Sequence, residues 1–288
     1  MDNPTPRTLR ARWIVGLVIL MFLAGCSQAR LAYRYADWGV VWWVEDYISL
    51  TSEQEAQLNQ DLEALRQWHC SVELPRYQQW LAALKSDLAE GTPDQATVLF
   101  HQEQLMDFIP KLLERATPVA VNLLSSLSDE QVAQLADNIA EKQQELEQEM
   151  LEGTPAETAR ARSERTIERI ERWLGDLNQQ QRTIVESWSA DRGRQTEIWL
   201  TGRRNWQLAL LDLLEQRGEP GFAEQVKELL AHSERARGAE YQAMLARSRG
   251  AMASLMHDLL QAGDTRHQDH LLARASELNG DFAALTCS

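Results

Sequence analysis

The sequence predicts an all-α protein, a multi-helix bundle built from long amphipathic helices. Strong helix formers (Ala, Leu, Glu, Gln and Arg) dominate the chain after Cys26. Alternating runs of β-branched residues, which would indicate strands, are missing. Apolar side chains recur at steps of three and four residues, for example at Leu58, Leu62 and Leu65, and this spacing places them on one face of a helix.

Helix-start and helix-end signals set the predicted boundaries. Thr92 and Thr154 each precede a Pro that suits the first helical position, and a Gln or Glu follows three residues later. Pro75 and Pro110 fall inside predicted helices, which they should kink or split. The predicted helices are Leu31–Tyr47, Ser52–Ala89, Pro93–Ala116, Pro118–Ser126, Asp129–Glu152, Pro155–Leu174, Gln179–Gln216, Pro220–Ala262 and Arg266–Ala284.

A helix-start motif recurs three times: a Leu, then a capping Thr, Ser or Asn, then a Gln three residues after the cap. The Gln residues are Gln54, Gln131 and Gln181. A weaker copy around Thr265 and Gln268 starts the last helix. The unequal spacing of 77 and 50 residues indicates a recurrent helix start and not a solenoid repeat. The chain divides by sequence into helical regions 31–152 and 153–288, which could equally form one continuous domain.

The first 25 residues are predicted to be a signal peptide that is removed. Arg7, Arg10 and Arg12 precede an apolar run of 11 residues, from Trp13 to Leu23, which ends just before Cys26. The alternative is a retained transmembrane anchor, but a span needs roughly 20 apolar residues. The short run therefore favours the signal peptide.

The sequence Leu-Ala-Gly-Cys that ends at Cys26 resembles the lipobox of bacterial lipoproteins. The resemblance implies a covalent diacylglycerol and an N-acyl chain on Cys26, with residues 26–30 as a short tether and no other cofactor. Two or more acyl chains hold a protein stably on a membrane. Ser27 stands where Asp would retain such a protein at the inner membrane. The resemblance therefore implies an outer-membrane lipoprotein on the periplasmic face.

The net charge of the chain restricts the kinds of partner that it can bind. Without its first 25 residues the chain keeps 26 of 29 basic and 42 of 43 acidic residues, a formal charge of −16. This balance opposes binding to nucleic acid, which depends on Lys and Arg at phosphates, and it opposes attraction to anionic lipids. The membrane is therefore a partner through the lipid anchor, and the other expected partner is an envelope protein.

Two cysteines other than Cys26 remain, Cys70 and Cys287. In an oxidising compartment they could form a disulfide or stay as two free thiols, and the sequence favours neither alternative.

Aromatic residues are dense just after the tether, at Tyr33, Tyr35, Trp38, Trp42, Trp43 and Tyr47. Tyr33, Tyr35 and Trp38 could lie at the membrane interface, where Trp and Tyr are favoured. The preferred interpretation is that Trp38 and Trp42, four residues apart, belong to the buried stripe of the first helix.

His69 and Glu73 are weak candidates for a metal or acid–base pair, because residues four apart share a helix face. A surface or hydrogen-bonded pair is the preferred interpretation. A second group, Asp264, His267, Asp269 and His270, is typical of a solvated turn. Catalytic motifs such as Gly-x-Ser-x-Gly and His-Glu-x-x-His are missing, so we expect no enzyme and no catalytic residue.

Three segments resemble a family of Gram-negative bacterial lipoproteins known only as a domain of unknown function. They are Leu31-x-Tyr33-x-x-x-Asp37-Trp38, Asp46-Tyr47-x-x-Leu50-Thr51-x-x-Gln54 and Trp68-His69-x-x-Glu73-Leu74-Pro75-x-Tyr77. The Leu-Thr-x-x-Gln element is also similar to one in small helical periplasmic chaperones. The leading hypothesis is a non-catalytic binding or scaffold protein of the cell envelope. The alternatives are a chaperone-like protein and a metal-dependent hydrolase that uses His69 and Glu73.

Overall fold

The computed structural model describes residues 33–285 and Cys287, and the predicted all-α fold class is confirmed for this part of the chain. Residues 1–32, including the signal peptide, Cys26 and Ser27, lie outside the described residues. A π-helical turn, His69–Glu73, lies between the helices Ser52–Trp68 and Leu74–Glu90. The helices are α1 Ala36–Glu45, α2 Ser52–Trp68, α3 Leu74–Glu90, α4 Gln95–Met106, α5 Phe108–Ser125, α6 Asp129–Leu151, α7 Pro155–Leu174, α8 Gln179–Asp191, α9 Gln195–Leu214, α10 Phe222–Ala231, α11 Ser233–Arg237, α12 Ala239–Gln261 and α13 Thr265–Ala284. In the described residues, no helix has both the length and the apolar character that crossing a membrane requires.

The predicted helices that contain Pro75 and Pro110 are split next to these prolines, as predicted, whereas Pro118 does not break its helix. Pro118 lies inside α5, so the predicted break between residues 116 and 118 is wrong. Pro110 falls in the first turn of α5 and Pro75 at the second position of α3. The first turn tolerates proline because its backbone N–H groups have no intrahelical acceptor.

Two long predicted helices are wrong because glycines divide them. The 179–216 segment is interrupted at Gly193, whose φ is 49°, and the 220–262 segment at Gly238, whose φ is 99°. This left-handed backbone favours glycine and ends helices. The helix predicted to follow a Thr92 cap is instead capped by Asp94, whose carboxylate accepts the Thr97 backbone N–H at 2.8 Å.

The helices before and after Gly153 pack against each other. α3 lies on α13, α4 on α12, α5 on α10, and α6 on α9. One apolar core joins the first helices to the end of α9 and to α10, through Leu58, Leu135, Leu214 and Val226. A second core forms among α7, α8 and α12, where Val185 and Leu259 are fully buried. The predicted regions 31–152 and 153–288 therefore share both helix contacts and a core.

A disulfide joins Cys70 on the π-helical turn to Cys287 after α13. Of the two states that the sequence left open, the structure contains the bonded one. The Cα atoms are 5.5 Å apart, and Cys70 is buried. The bond fixes the end of α13 next to α3, the helix on which α13 packs.

Candidate functional site

The aromatic side chains of α1 face outward. Trp38, Trp42 and Trp43 are 66%, 60% and 59% exposed, and the Trp38 and Trp42 rings stack with centroids 6.1 Å apart. The valines Val41 and Val44 are the buried residues of α1. The prediction that Trp38 and Trp42 form the buried stripe is therefore wrong. Because α1 is apolar on nearly every side, its residue spacing does not determine which side faces the core.

Tyr33, Tyr35 and Trp38 were grouped in the sequence as possible membrane-interface residues, but Tyr33 is bonded to the protein where the other two are exposed. The Tyr33 hydroxyl donates to the Arg66 carbonyl at 3.1 Å and lies 3.1 Å from His69 Nδ1. Burial raises the pKa of Tyr33. Tyr35 is 55% exposed. The exposed aromatic face of α1 therefore consists of Tyr35, Trp38, Trp42 and Trp43, while Tyr33 fixes the start of the described chain to the end of α2.

The structure gives His69 and Glu73 separate partners. His69 contacts the rings of Tyr33 and Tyr77, and burial lowers its pKa, although Glu73 acts in the opposite direction. Glu73 is completely buried, and its two carboxylate oxygens accept from Arg76 Nη1 at 2.8 and 2.7 Å. Within residues 33–285 and Cys287, no three His, Cys, Asp or Glu side chains are grouped to hold a metal.

The recurrent helix starts meet in the structure, and α2 and α6 form the first pair. Thr51 and Ser128 cap the two helices, and the Gln three residues after each cap accepts the backbone N–H of its own cap residue at 3.0 Å. The amides of Gln54 and Gln131 then bond to each other in both directions, at 3.0 and 2.7 Å. The side chains thus cap their own helices and connect them to each other.

Each amide of the first pair also reaches the backbone of the other helix start. Gln54 Nε2 donates to the Ser126 carbonyl at 2.9 Å, and Gln131 Nε2 donates to the Ser49 carbonyl at 2.8 Å. These carbonyls occupy equivalent places, two residues before each cap. Both glutamines are buried, and every donor and acceptor of their amides has a partner, which buried polar groups require.

The helix starts of α8 and α13 form the second pair. Asn178 caps α8 with Gln181, as predicted. The cap of α13 is Asp264, with His267 three residues later, so the predicted cap at Thr265 with Gln268 is wrong by one residue. A side-chain hydrogen bond from Arg266 is the largest cause that lowers the pKa of Asp264, to about 2.

In the second pair, the two side chains bond to backbone carbonyls and not to each other. Gln181 Nε2 donates to the Leu259 carbonyl at 2.9 Å, and His267 Nε2 donates to the Asp176 carbonyl at 3.1 Å. Asp176 lies two residues before its cap, as Ser49 does in the first pair. His267 is buried, so its predicted place on a solvated turn is wrong, whereas Asp269 and His270 are exposed.

A groove of about 630 Å³ lies beside the first pair, between α2 and α5. Its walls include Glu53, Asp61 and Asn122, and the Asn122 amide donates to Asp61 at 2.8 Å. The groove offers hydrogen-bond acceptors and negative charge. The groove can therefore accept hydrogen bonds from a weakly bound ligand. Its lining residues do not include a nucleophilic side chain next to a base.

A second exposed apolar surface protrudes where α4 turns into α5. Every residue from Glu103 to Leu112 is exposed except Phe108, which is partly buried. The centroid of the Phe108 ring lies 4.5 Å from that of Tyr77. We call this surface the apolar corner, defined by Leu99, Phe100, Leu105, Met106, Ile109 and Leu112, which are 37% to 52% exposed. The sequence pattern does not predict this surface, because the same apolar spacing occurs on buried helix faces.

Residues 46–242 match DUF6279, a family of unknown function. The chain belongs to this family. The DUF6279 match includes the helix starts at Thr51, Ser128 and Asn178, and also the apolar corner, but it excludes α1 and α13. Neither a curated protein nor a solved structure matches the chain. Membership of DUF6279 therefore supplies a family without an activity, and any function has to come from the surfaces described above.

Proposed function

We propose that this DUF6279 protein is a lipid-anchored, non-catalytic binding protein on the periplasmic face of the outer membrane. The observation that carries the binding role is the apolar corner. Exposed apolar patches of this kind mark interaction sites in soluble proteins, and Phe and Met are enriched at protein interfaces.

The occupant that fits the corner is an apolar segment of another envelope protein, flanked by Lys or Arg. Glu103 and Asp107 stand among the apolar side chains of the corner and are exposed, and with the exposed Lys111 they leave an excess of negative charge there. Immersing these carboxylates in lipid would be costly, whereas a basic partner would pair with them at the rim of an interface.

The anchor is tested by changing Cys26. In Cys26→Ala we expect no incorporation of labelled fatty acid and an uncleaved precursor, because acylation of the sulfur precedes cleavage in the lipoproteins that the lipobox resembles. Metabolic labelling and intact mass of the purified protein measure both results. The matched variant Ser27→Asp should keep the label and move the protein to the inner-membrane fraction. A labelled Cys26→Ala protein contradicts the proposed anchor.

The binding role is tested by photocrosslinking in cells. A crosslinking residue at Met106 should give a discrete protein adduct, and Ile109→Asp should reduce that adduct at least tenfold by placing a charge in the interface. The matched control position is Leu208, which is 53% exposed on α9. Peptide mapping of the adduct should identify an apolar segment flanked by Lys or Arg. Equal adducts from Met106 and Leu208, or adducts that survive Ile109→Asp, would count against the corner as a binding surface.

The chaperone-like and hydrolase alternatives have less support. The Leu-Thr-x-x-Gln elements are accounted for by the paired helix starts, which use their Gln side chains internally. The hydrolase alternative depended on His69 and Glu73, and each of these side chains is bonded to a different neighbour.

A further inference from the structure

The aromatic face of α1 is exposed: the rings of Trp38 and Trp42 contact each other, and Trp43 contacts Tyr47 beside the face at 5.4 Å between centroids. We propose that this face, formed by Tyr35, Trp38, Trp42 and Trp43, lies in the headgroup zone of the membrane that holds the lipid anchor. The inference rests on the proposed anchoring at Cys26 and adds a second membrane contact made by the folded body. The occupant is a lipid surface.

The chemistry of the four side chains favours lipid headgroups. Trp and Tyr combine a large apolar ring with one polar group, and both are enriched where hydrocarbon meets water. Three tryptophans at least 59% exposed on one helix of 10 residues leave much apolar area in water. In the headgroup zone each ring can enter the apolar layer while its N–H or O–H remains hydrated.

The charge pattern of α1 permits this contact. From Trp38 to Val44 the helix carries no charged side chain. Asp37, just before this stretch, is 3.2 Å from Arg66 of α2, which partly compensates its charge. Glu45 and Asp46, just after this stretch, are exposed and would stay in water at the edge of the contact. An acidic chain that lacks electrostatic attraction to anionic lipids needs an uncharged surface of this kind to lie flat on a membrane.

The tether brings α1 to the membrane. Ala36 follows Cys26 by 10 residues, which span at most about 35 Å when fully extended. The inner side of α1 packs on α2 through Val41 and Val44. With its tryptophans on the membrane, α1 would lie parallel to the surface and support the body above it.

Fluorescence quenching by brominated lipids tests the proposal. The lipidated mature protein, which has nine tryptophans without residue 13, is reconstituted into phosphatidylethanolamine–phosphatidylglycerol vesicles with and without bromine on the acyl chains. Wild-type fluorescence should be quenched, and Trp38→Phe/Trp42→Phe/Trp43→Phe should lose more than half of the quenched signal. Trp173→Phe is the matched control, because Trp173 is 41% exposed on α7 and should not change the quenched signal.

Two outcomes would overturn the proposal: a wild-type protein that brominated lipids do not quench, or a triple variant quenched as strongly as the wild type. Far-UV circular dichroism of the variants checks that they are folded, which surface substitutions should permit. Intact mass reports acylation of Cys26 independently. A protein that is acylated but not quenched therefore contradicts the α1 contact alone, and a protein that is not acylated contradicts the anchor.

Discussion

The two pairs of helix starts use the same capping chemistry but differ in how the crossing side chains are connected. In the first pair, Gln54 and Gln131 bond to each other and to both backbones. In the second pair, His267 reaches the Asp176 carbonyl just before the α8 cap, whereas Gln181 reaches the Leu259 carbonyl in the last turn of α12. The recurring motif is therefore a device for joining helices that are distant in sequence, and it tolerates a His in place of a Gln.

The difference has a consequence for cooperativity. Removing one amide of the first pair leaves the other amide buried with unpaired groups, so each glutamine depends on its partner. The side chains of the second pair depend on separate carbonyls. We therefore expect strong energetic coupling in the first pair and weak coupling in the second.

The largest effect is expected for the first pair. Gln131→Leu should lower the free energy of unfolding by about 3 kcal/mol, because it leaves the Gln54 amide and the Ser49 carbonyl without their partner. Gln54→Leu should have a similar effect. The double variant should lose about 1–2 kcal/mol less than the two single losses together, since both amides are then absent. Urea denaturation at neutral pH measures all three values.

A matched control is Gln144→Leu on the same helix, because Gln144 is exposed and lies away from the first pair. Its cost should stay within about 0.5 kcal/mol. Additive losses for Gln54→Leu and Gln131→Leu would show that the two amides act independently, against the reciprocal pair.

A smaller effect is expected for the second pair. His267→Ala should cost about 2 kcal/mol, since it removes the bond to the Asp176 carbonyl and the acceptor for the Asp264 backbone N–H. His267→Gln should recover part of this loss, because Gln occupies the same position in the first pair. Combining His267→Ala with Gln181→Leu should give additive losses within about 0.5 kcal/mol. A coupling as large as that of the first pair would remove the distinction between the pairs.

The sequence predicted the helices and their caps well where the signal is local. The caps at Thr51, Ser128, Thr154 and Asn178 are confirmed, because each depends on bonds within three residues. The pairing of those starts could not be predicted. The pairing depends on packing between helices about 80 residues apart in the chain. In the sequence, a capping Gln looks the same whether or not a second helix packs beside its amide group.

The exposed surfaces show a similar limit. Trp38 and Trp42 were predicted to be buried because large aromatic residues usually enter cores, yet Val41 and Val44 are the buried residues of α1. The apolar corner was not predicted, since Leu105 and Ile109 have the spacing of a buried stripe. In both cases packing against other helices determines which face remains open, and helical periodicity alone does not contain this information.

The disulfide between Cys70 and Cys287 gives the chain the topology of a closed loop. A protease that cuts one peptide bond in any linker of this loop would leave both fragments covalently attached. The nicked protein would migrate at full mass on a non-reducing gel and separate only after reduction. Helices beyond the cut would therefore stay attached to the N-terminal part of the chain, and with the proposed anchor at Cys26 a single cleavage would not release them from the membrane.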